Sequence, residues 1–381
     1  MKRLAIAPHR LYFFLGGLAV TMLFFWWLLQ LLQQQSQALP LHALVMPLGV
    51  FPLFILGFTF TAGPRWLALD TPDHDFLLHG ATYFVGMLLV LFSAAFGLHA
   101  LRSSGFVFMS AAWCAVTWRW IGLLRHSRAV DKQHARALAA AMLGGALALL
   151  ATLCWSAGWS AAWLAARELS FFAFLLPVFL TVCHRMLPFF SSNVLVRYAP
   201  WRPDWLLTFW LSGCVLQACA DMLAWQWLAA LNAAALALSF LYTSWRWGIA
   251  RSLPNRLLAM LHLSFAWLSV VFALQAAASL GFVPTSAALH ALALGFMGTM
   301  LVAFVSRVSF GHSGRPLQVS NFLWLLYLAL HAAAVARVAA SLLAMPALLI
   351  WSAAAWLLLL IGWMGMMLPL YLGARADGKP G

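Results

Sequence analysis

The chain is a succession of long apolar runs broken by short polar connections. Runs of about 17 to 25 apolar residues are long enough to cross a bilayer as helices. On that measure the sequence predicts twelve spans. Six lie near 10–32, 41–63, 75–99, 105–124, 134–156 and 160–183, and six more near 203–223, 225–248, 255–280, 286–307, 319–340 and 345–372. The connections are too short to fold alone. The expected organisation is one helical membrane domain over residues 1–373, with a short disordered cytoplasmic tail at 374–381.

Composition agrees with this pattern and excludes a water-soluble globule. Charged residues make up 8% of the chain and hydrophobic residues 65%, whereas soluble domains carry roughly 25% charged residues. The net charge of +14 therefore calls for a membrane explanation. Lys and Arg collect on cytoplasmic connections. With the N-terminus placed inside, nineteen of the 22 basic residues fall on that side, leaving Arg102, Arg167 and Arg337 outside. A missed or invented helix would scramble the split, so the expected topology has both termini cytoplasmic. The basic excess then faces anionic lipid, and a nucleic-acid partner is not expected, because short interhelical loops offer no groove-reading element. The first span is too long for a signal-peptide core and reads as a retained anchor.

Several residue types mark places where helices bend or approach closely. Pro47, Gly49 and Pro52 in the second span and Pro177 in the sixth predict kinks or tight contacts, since a freed backbone group in the bilayer must find another partner. In the tenth span Ala291, Gly295, Gly298 and Ala303 form a small-residue stripe, which admits either a neighbouring helix or a flat ligand. The five cysteines lack CxxC spacing and read as buried thiols.

Chemistry is concentrated in histidine. Twelve histidines stand against eight acidic residues, and most of the acids lie in loops or at helix ends. A coupled transporter usually carries an ionisable carboxylate in mid-membrane, and Asp221 is the nearest to one. In a low-dielectric span a neutral imidazole presents the lone pair a metal uses. By topology His42, His99 and His290 lie toward the outer face, His79 and His262 in the inner third, and His331 near the middle of its span. Imidazoles at one depth on different helices suit axial haem ligation or a copper site. With no CxxCH in the chain, such a haem would be non-covalent and b-type.

The segment "HALALGFMGTMLVAFVSRVSFGHSGRPL", His290 to Leu317, closely resembles the signature of the NnrS family of polytopic bacterial membrane proteins. "PHRLYFFLGGLA", "FTFTAGPRW", "HRMLPFFSSN" and "LHLSFAWLSV" resemble further family segments in order. The resemblance implies an inner-membrane protein of nitric oxide metabolism or nitrosative-stress tolerance that binds haem, with copper as a second metal. It marks His42, His262, His290, Arg307, His312, Gly314 and Arg315 as matching positions. The second helix departs from the pattern: Leu44 and Val45 in "HALVM" stand where the family has a second histidine and a glutamate.

The twelve-span count and the histidines on the second and tenth helices also resemble haem–copper oxidases at the level of fold. The expected haem ligands are His42 and His290, followed by His262, with His99, His331 and His79 as candidates for copper or a second ligand. Arg307, His312 and Arg315 are expected to form a cytoplasmic basic turn for an anion, lipid or protein partner. Arg307 lies 17 residues beyond His290, about 25 Å along a helix, so one haem cannot touch both. The alternatives are a cofactor-free permease and an assembly partner of a respiratory complex.

Overall fold

The structure is a computed structural model that describes residues 3–69 and 75–378. Lys2 and Lys379, counted among the basic residues above, and the acids Asp70 and Asp73 with His74 lie outside the described residues, as does the end of the expected tail. Twelve helices among the described residues are long and apolar enough to cross a membrane, and no strand is present among them. They are α1 (Pro8–Leu32), α2 (Ser36–Trp66), α3 (Phe76–Phe96), α4 (His99–His126), α5 (Gln133–Ser156) and α6 (Ala162–Ser192), followed by α7 (Asp204–Met222), α8 (Gln226–Arg246), α9 (Arg256–Ser279), α10 (Thr285–His312), α11 (Asn321–Leu342) and α12 (Pro346–Leu372). The protein is thus an all-helical polytopic membrane protein, as the hydrophobic pattern predicts.

The largest boundary changes fall at three helix ends. α6 runs to Ser192 and α10 to His312, each beyond its apolar run, so Arg185 and His312 are helical. His99 opens α4 instead of closing α3; Gly97 takes φ +68 between the two helices and makes the break.

The chain divides into two compact units, residues 1–178 with 368–381, and residues 179–367. In the first, α2 is the most enclosed helix and passes through Pro47, Pro52 and Pro64 without interruption. Its close packing is achieved by glycine: a Cβ at Gly49 would lie 2.6 Å from the Leu23 side chain, and one at Gly57 2.6 Å from the Phe13 ring. Arg10 donates to the carbonyls of Tyr371 and Gly373 at 3.2 and 2.9 Å, at a helix end where carbonyls lack intrahelical donors. This bonding brings the N-terminal end of α1 to the C-terminal end of α12.

Two helices contain a wider π turn, Leu169–Leu175 in α6 and Ala291–Gly298 in α10. In α6 the cause is readable: Pro177 has no N–H for the Ala173 carbonyl four residues earlier. That carbonyl faces Gly144 of α5, where an added Cβ would lie only 2.1 Å from the oxygen. In α10 no proline is present, and Thr299 Oγ donates to the Gly295 carbonyl inside the turn at 2.5 Å. Such turns are frequent at functional sites.

In the second unit the small-residue stripe of α10 receives aromatic rings. Gly295 lies against Trp267 of α9 and Gly298 against Trp356 of α12, both closer than a Cβ would allow. Helix packing therefore accounts for these two glycines. The cysteines are all free; Cys183 and Cys214 are buried, while Cys114 is exposed and Cys154 and Cys219 are half-buried, so buried thiols account for only part of the set.

Candidate functional site

The second unit holds three of the expected ligand histidines, each on a different helix of α9, α10 and α11. Their ring nitrogens are in different states, which hydrogen-bond partners define.

His290, at the last residue before the π turn of α10, uses both nitrogens. Nδ1 lies 2.7 Å from the Ser286 carbonyl, an acceptor only, and Nε2 lies 3.1 Å from the guanidinium of Arg337 on α11, a donor only. The ring is therefore neutral with its proton on Nδ1, and the Nε2 lone pair accepts from Arg337. Arg337 is 9% exposed and donates also to Ser341 Oγ at 2.6 Å.

His331, in the middle of α11, accepts the indole N–H of Trp267 at Nδ1, at 2.8 Å. A neutral ring then carries its proton on Nε2, a buried atom with no hydrogen-bond partner. While the indole bond holds, His331 offers a donor and no lone pair. Tyr327, one turn earlier, packs edge-on to the ring at 4.6 Å. Its hydroxyl donates to the Met260 carbonyl at 2.5 Å and pairs with Ser264 Oγ at 2.7 Å. Trp267, His331, Tyr327 and Ser264 thus form a polar seam between α9 and α11, with Gly295 giving Trp267 its room.

His262 of α9 differs from both. It is 1% exposed, Nε2 is 2.9 Å from Ser191 Oγ at the end of α6, and Nδ1 is buried without a hydrogen-bond partner. If Nε2–H donates to Ser191, Nδ1 presents a lone pair, the arrangement of a metal-ligating histidine whose second nitrogen is anchored on oxygen. The Tyr198 hydroxyl lies beside Ser191 in the connection after α6, where burial holds its phenol above the usual range.

In the first unit His42 stacks on Trp27, ring centroids 3.6 Å apart. His79 lies half-buried in the first turn of α3, near the Asp75 carboxylate that pairs with Arg119. His99 is exposed at the start of α4. Among the described residues no three His, Cys, Asp or Glu side chains converge as a metal cluster.

The basic segment after α10 has a structural explanation. Gly314 takes φ +68, Arg315 N–H donates to the Phe310 carbonyl at 3.1 Å, and Gly314 N–H faces the Gly311 carbonyl at 3.4 Å. These are the paired bonds of a glycine-terminated helix, and Pro316 prevents continuation. Of the three expected basic residues only Arg315 is exposed; Arg307 is buried in α10 with its guanidinium 3.9 Å from the Phe190 ring centre. The structure therefore separates Arg307 from the turn it was expected to share.

Arg337, Trp267, Tyr327 and Ser191 are the neighbours that sequence reasoning did not single out. Arg337 carried a signal in being one of three arginines assigned to the outer side.

Twelve helices long and apolar enough to cross a bilayer, with His262, His290 and His331 on three of them, define an all-helical polytopic membrane protein. A family model described as NnrS protein matches residues 3–375, and the chain belongs to that NnrS family. No curated protein and no solved structure matches it.

Proposed function

We propose that the chain is a haem- or metal-carrying member of the NnrS family that acts in nitric oxide metabolism or nitrosative-stress tolerance in the bacterial inner membrane. The observation that carries this reading is His262, a nearly fully buried imidazole with one nitrogen on Ser191 and the other without a hydrogen-bond partner. An orphaned ring nitrogen in a dry site is costly, and a metal ion or haem iron is a partner that imidazole satisfies well. His42 and His290 are the ligands the family resemblance suggests. Ligation by His290 through Nε2 requires Arg337 to give up its hydrogen bond there, and ligation by His331 requires the same of Trp267. When bound, a haem iron supplies a coordination position at which a diatomic gas such as nitric oxide binds. The chain's own residues fix the imidazoles: Ser191 anchors His262, and the Ser286 carbonyl sets the proton of His290.

An absorption spectrum and metal analysis of detergent-purified protein, expressed with adequate haem supply, test the reading. A Soret band that His262→Ala removes or shifts, and that His99→Ala leaves unchanged, supports it. Absence of both a Soret band and stoichiometric copper would sink it. A second reading, a cofactor-free permease, draws on the Asp221 carboxylate of α7, which accepts from the Gln217 and Gln275 amides at 3.1–3.2 Å. It predicts a colourless, metal-free protein.

A further inference from the structure

Arg337 is a buried cation whose partners are all neutral. Its guanidinium donates to His290 Nε2 and Ser341 Oγ, and no carboxylate among the described residues pairs with it. The other two arginines assigned to the same side are matched differently: Arg102 lies over the Trp155 ring at 5.0 Å, and Arg167 pairs with Glu168 and lies over Trp163 at 5.0 Å. A guanidinium removed from water without counter-charge is unfavourable. An anion is the natural complement.

The surroundings of Arg337 are donors too. α10 is a 28-residue helix that begins at Thr285, with Pro284 as its cap residue, no side-chain cap and no acidic residue in its first turn. Its first-turn amides and positive helix end therefore lack the compensation such ends usually receive. Ser286, in that first turn, donates to Ser341 Oγ at 3.2 Å. Ser341 Oγ accepts from both Ser286 and Arg337, which leaves its own O–H to donate elsewhere. Ser341 thus joins the buried guanidinium of Arg337 to Ser286 in the first turn of α10, and no acidic residue lies in that turn.

We propose that Arg337, Ser341, Ser286 and the first-turn amides of α10 form a binding site for a single oxyanion group, phosphate-like in geometry and charge. Forked guanidinium donors match the oxygens of such a group, and helix N-termini bind them through backbone amides. The group has two possible sources, a soluble oxyanion or the phosphate of a lipid headgroup, since the site lies near the start of α10 and the end of α11, two membrane-spanning helices. It goes beyond the cofactor reading and does not depend on it.

The test is thermal unfolding of the full chain, purified in detergent and stripped of lipid, at constant ionic strength set with chloride. Inorganic phosphate titrated into wild type is expected to raise the Tm saturably, by several degrees, and Arg337→Gln is expected to abolish that rise. In the second arm, phosphatidylglycerol added in mixed micelles is expected to act in the same Arg337-dependent way if the source is lipid. A response to phosphate assigns a soluble ligand; a response to phosphatidylglycerol alone assigns a lipid. Should Arg337→Gln fail to fold, Ser341→Ala, which keeps the cation, is expected to weaken the half-saturating concentration about three- to tenfold. Equal responses in wild type and in the variants that fold, or no response to either probe, would overturn the proposal. The readout requires no haem, so failure of the cofactor reading leaves the result interpretable.

Discussion

The indole N–H of Trp267 donates to Nδ1 of His331 at 2.8 Å, and this bond decides which nitrogen of the histidine carries its proton. Trp267 reaches that position because Gly295, inside the π turn of α10, has no side chain where the ring lies; a Cβ there would sit 2.4 Å from the indole. Gly295→Ala is therefore expected to push the ring off His331. Overpacking of this kind costs about 1–3 kcal/mol, and loss of the indole partner adds the penalty of a buried unsatisfied group. The Tm of the purified protein should fall in Gly295→Ala, and more than in Trp267→Phe, which removes the bond but keeps a ring. A Tm unchanged by Gly295→Ala would contradict the contact.

The Gly144–Ala173 approach in the first unit offers a harder case, because the obstructing atom is a backbone oxygen 2.1 Å from the added carbon. Flexible side chains can move aside; a carbonyl in a π turn preceding Pro177 cannot without rebuilding α6. Gly144→Ala should reduce the yield of folded protein sharply or lower the Tm by more than Gly295→Ala does. Gly122→Ala, where nothing lies within 4 Å of the new carbon, is the control and should be neutral or slightly stabilising, since alanine has the higher helix propensity.

Most of the fold could be read from hydrophobic run length, because twelve apolar spans leave few ways to arrange the chain other than as twelve long helices. The candidate site was legible only as a set of histidines. What each imidazole can do depends on partners far away in sequence: Arg337 is 47 residues from His290, Trp267 is 64 from His331, and Ser191 is 71 from His262. Serine and tryptophan are ordinary in a membrane protein, and no local pattern distinguishes these from the rest. The π turn of α6 has a sequence cause in Pro177, whereas that of α10 has none visible. "SRVSFGHSGRPL" looked like a basic turn because its charges are evident; that Arg307 is buried against Phe190 and that Gly314 ends the helix became visible only in three dimensions.

That reassignment of Arg307 is itself testable. A guanidinium 3.9 Å from the Phe190 ring centre in a partly desolvated place gains up to about 2 kcal/mol from the ring. Arg307→Lys keeps the charge but loses the flat face that stacks on the ring. It should lower the Tm by an amount close to that of Phe190→Leu, and the double variant should cost less than the two added together. Strict additivity would mean the pair is not coupled. Arg315→Ala, at the exposed cap, should leave stability nearly unchanged.

Ser191 decides whether His262 can serve as a ligand. Ser191→Ala removes the oxygen that holds Nε2 and leaves a second buried ring nitrogen without a partner, at a cost of about 1–3 kcal/mol. If His262 holds haem or copper through Nδ1, its ring loses its orientation in this variant. The Soret maximum or the copper electron-spin signal should then shift, or the bound cofactor should dissociate more readily, with partial rescue by Ser191→Thr, which restores the hydroxyl. A purely structural histidine predicts another outcome: the Tm falls in Ser191→Ala while the spectrum and metal content of the folded fraction stay those of wild type. Measuring the spectrum and the Tm on the same preparation separates the two roles, because only ligation through Nδ1 links the Ser191 hydroxyl to the electronic state of a bound cofactor.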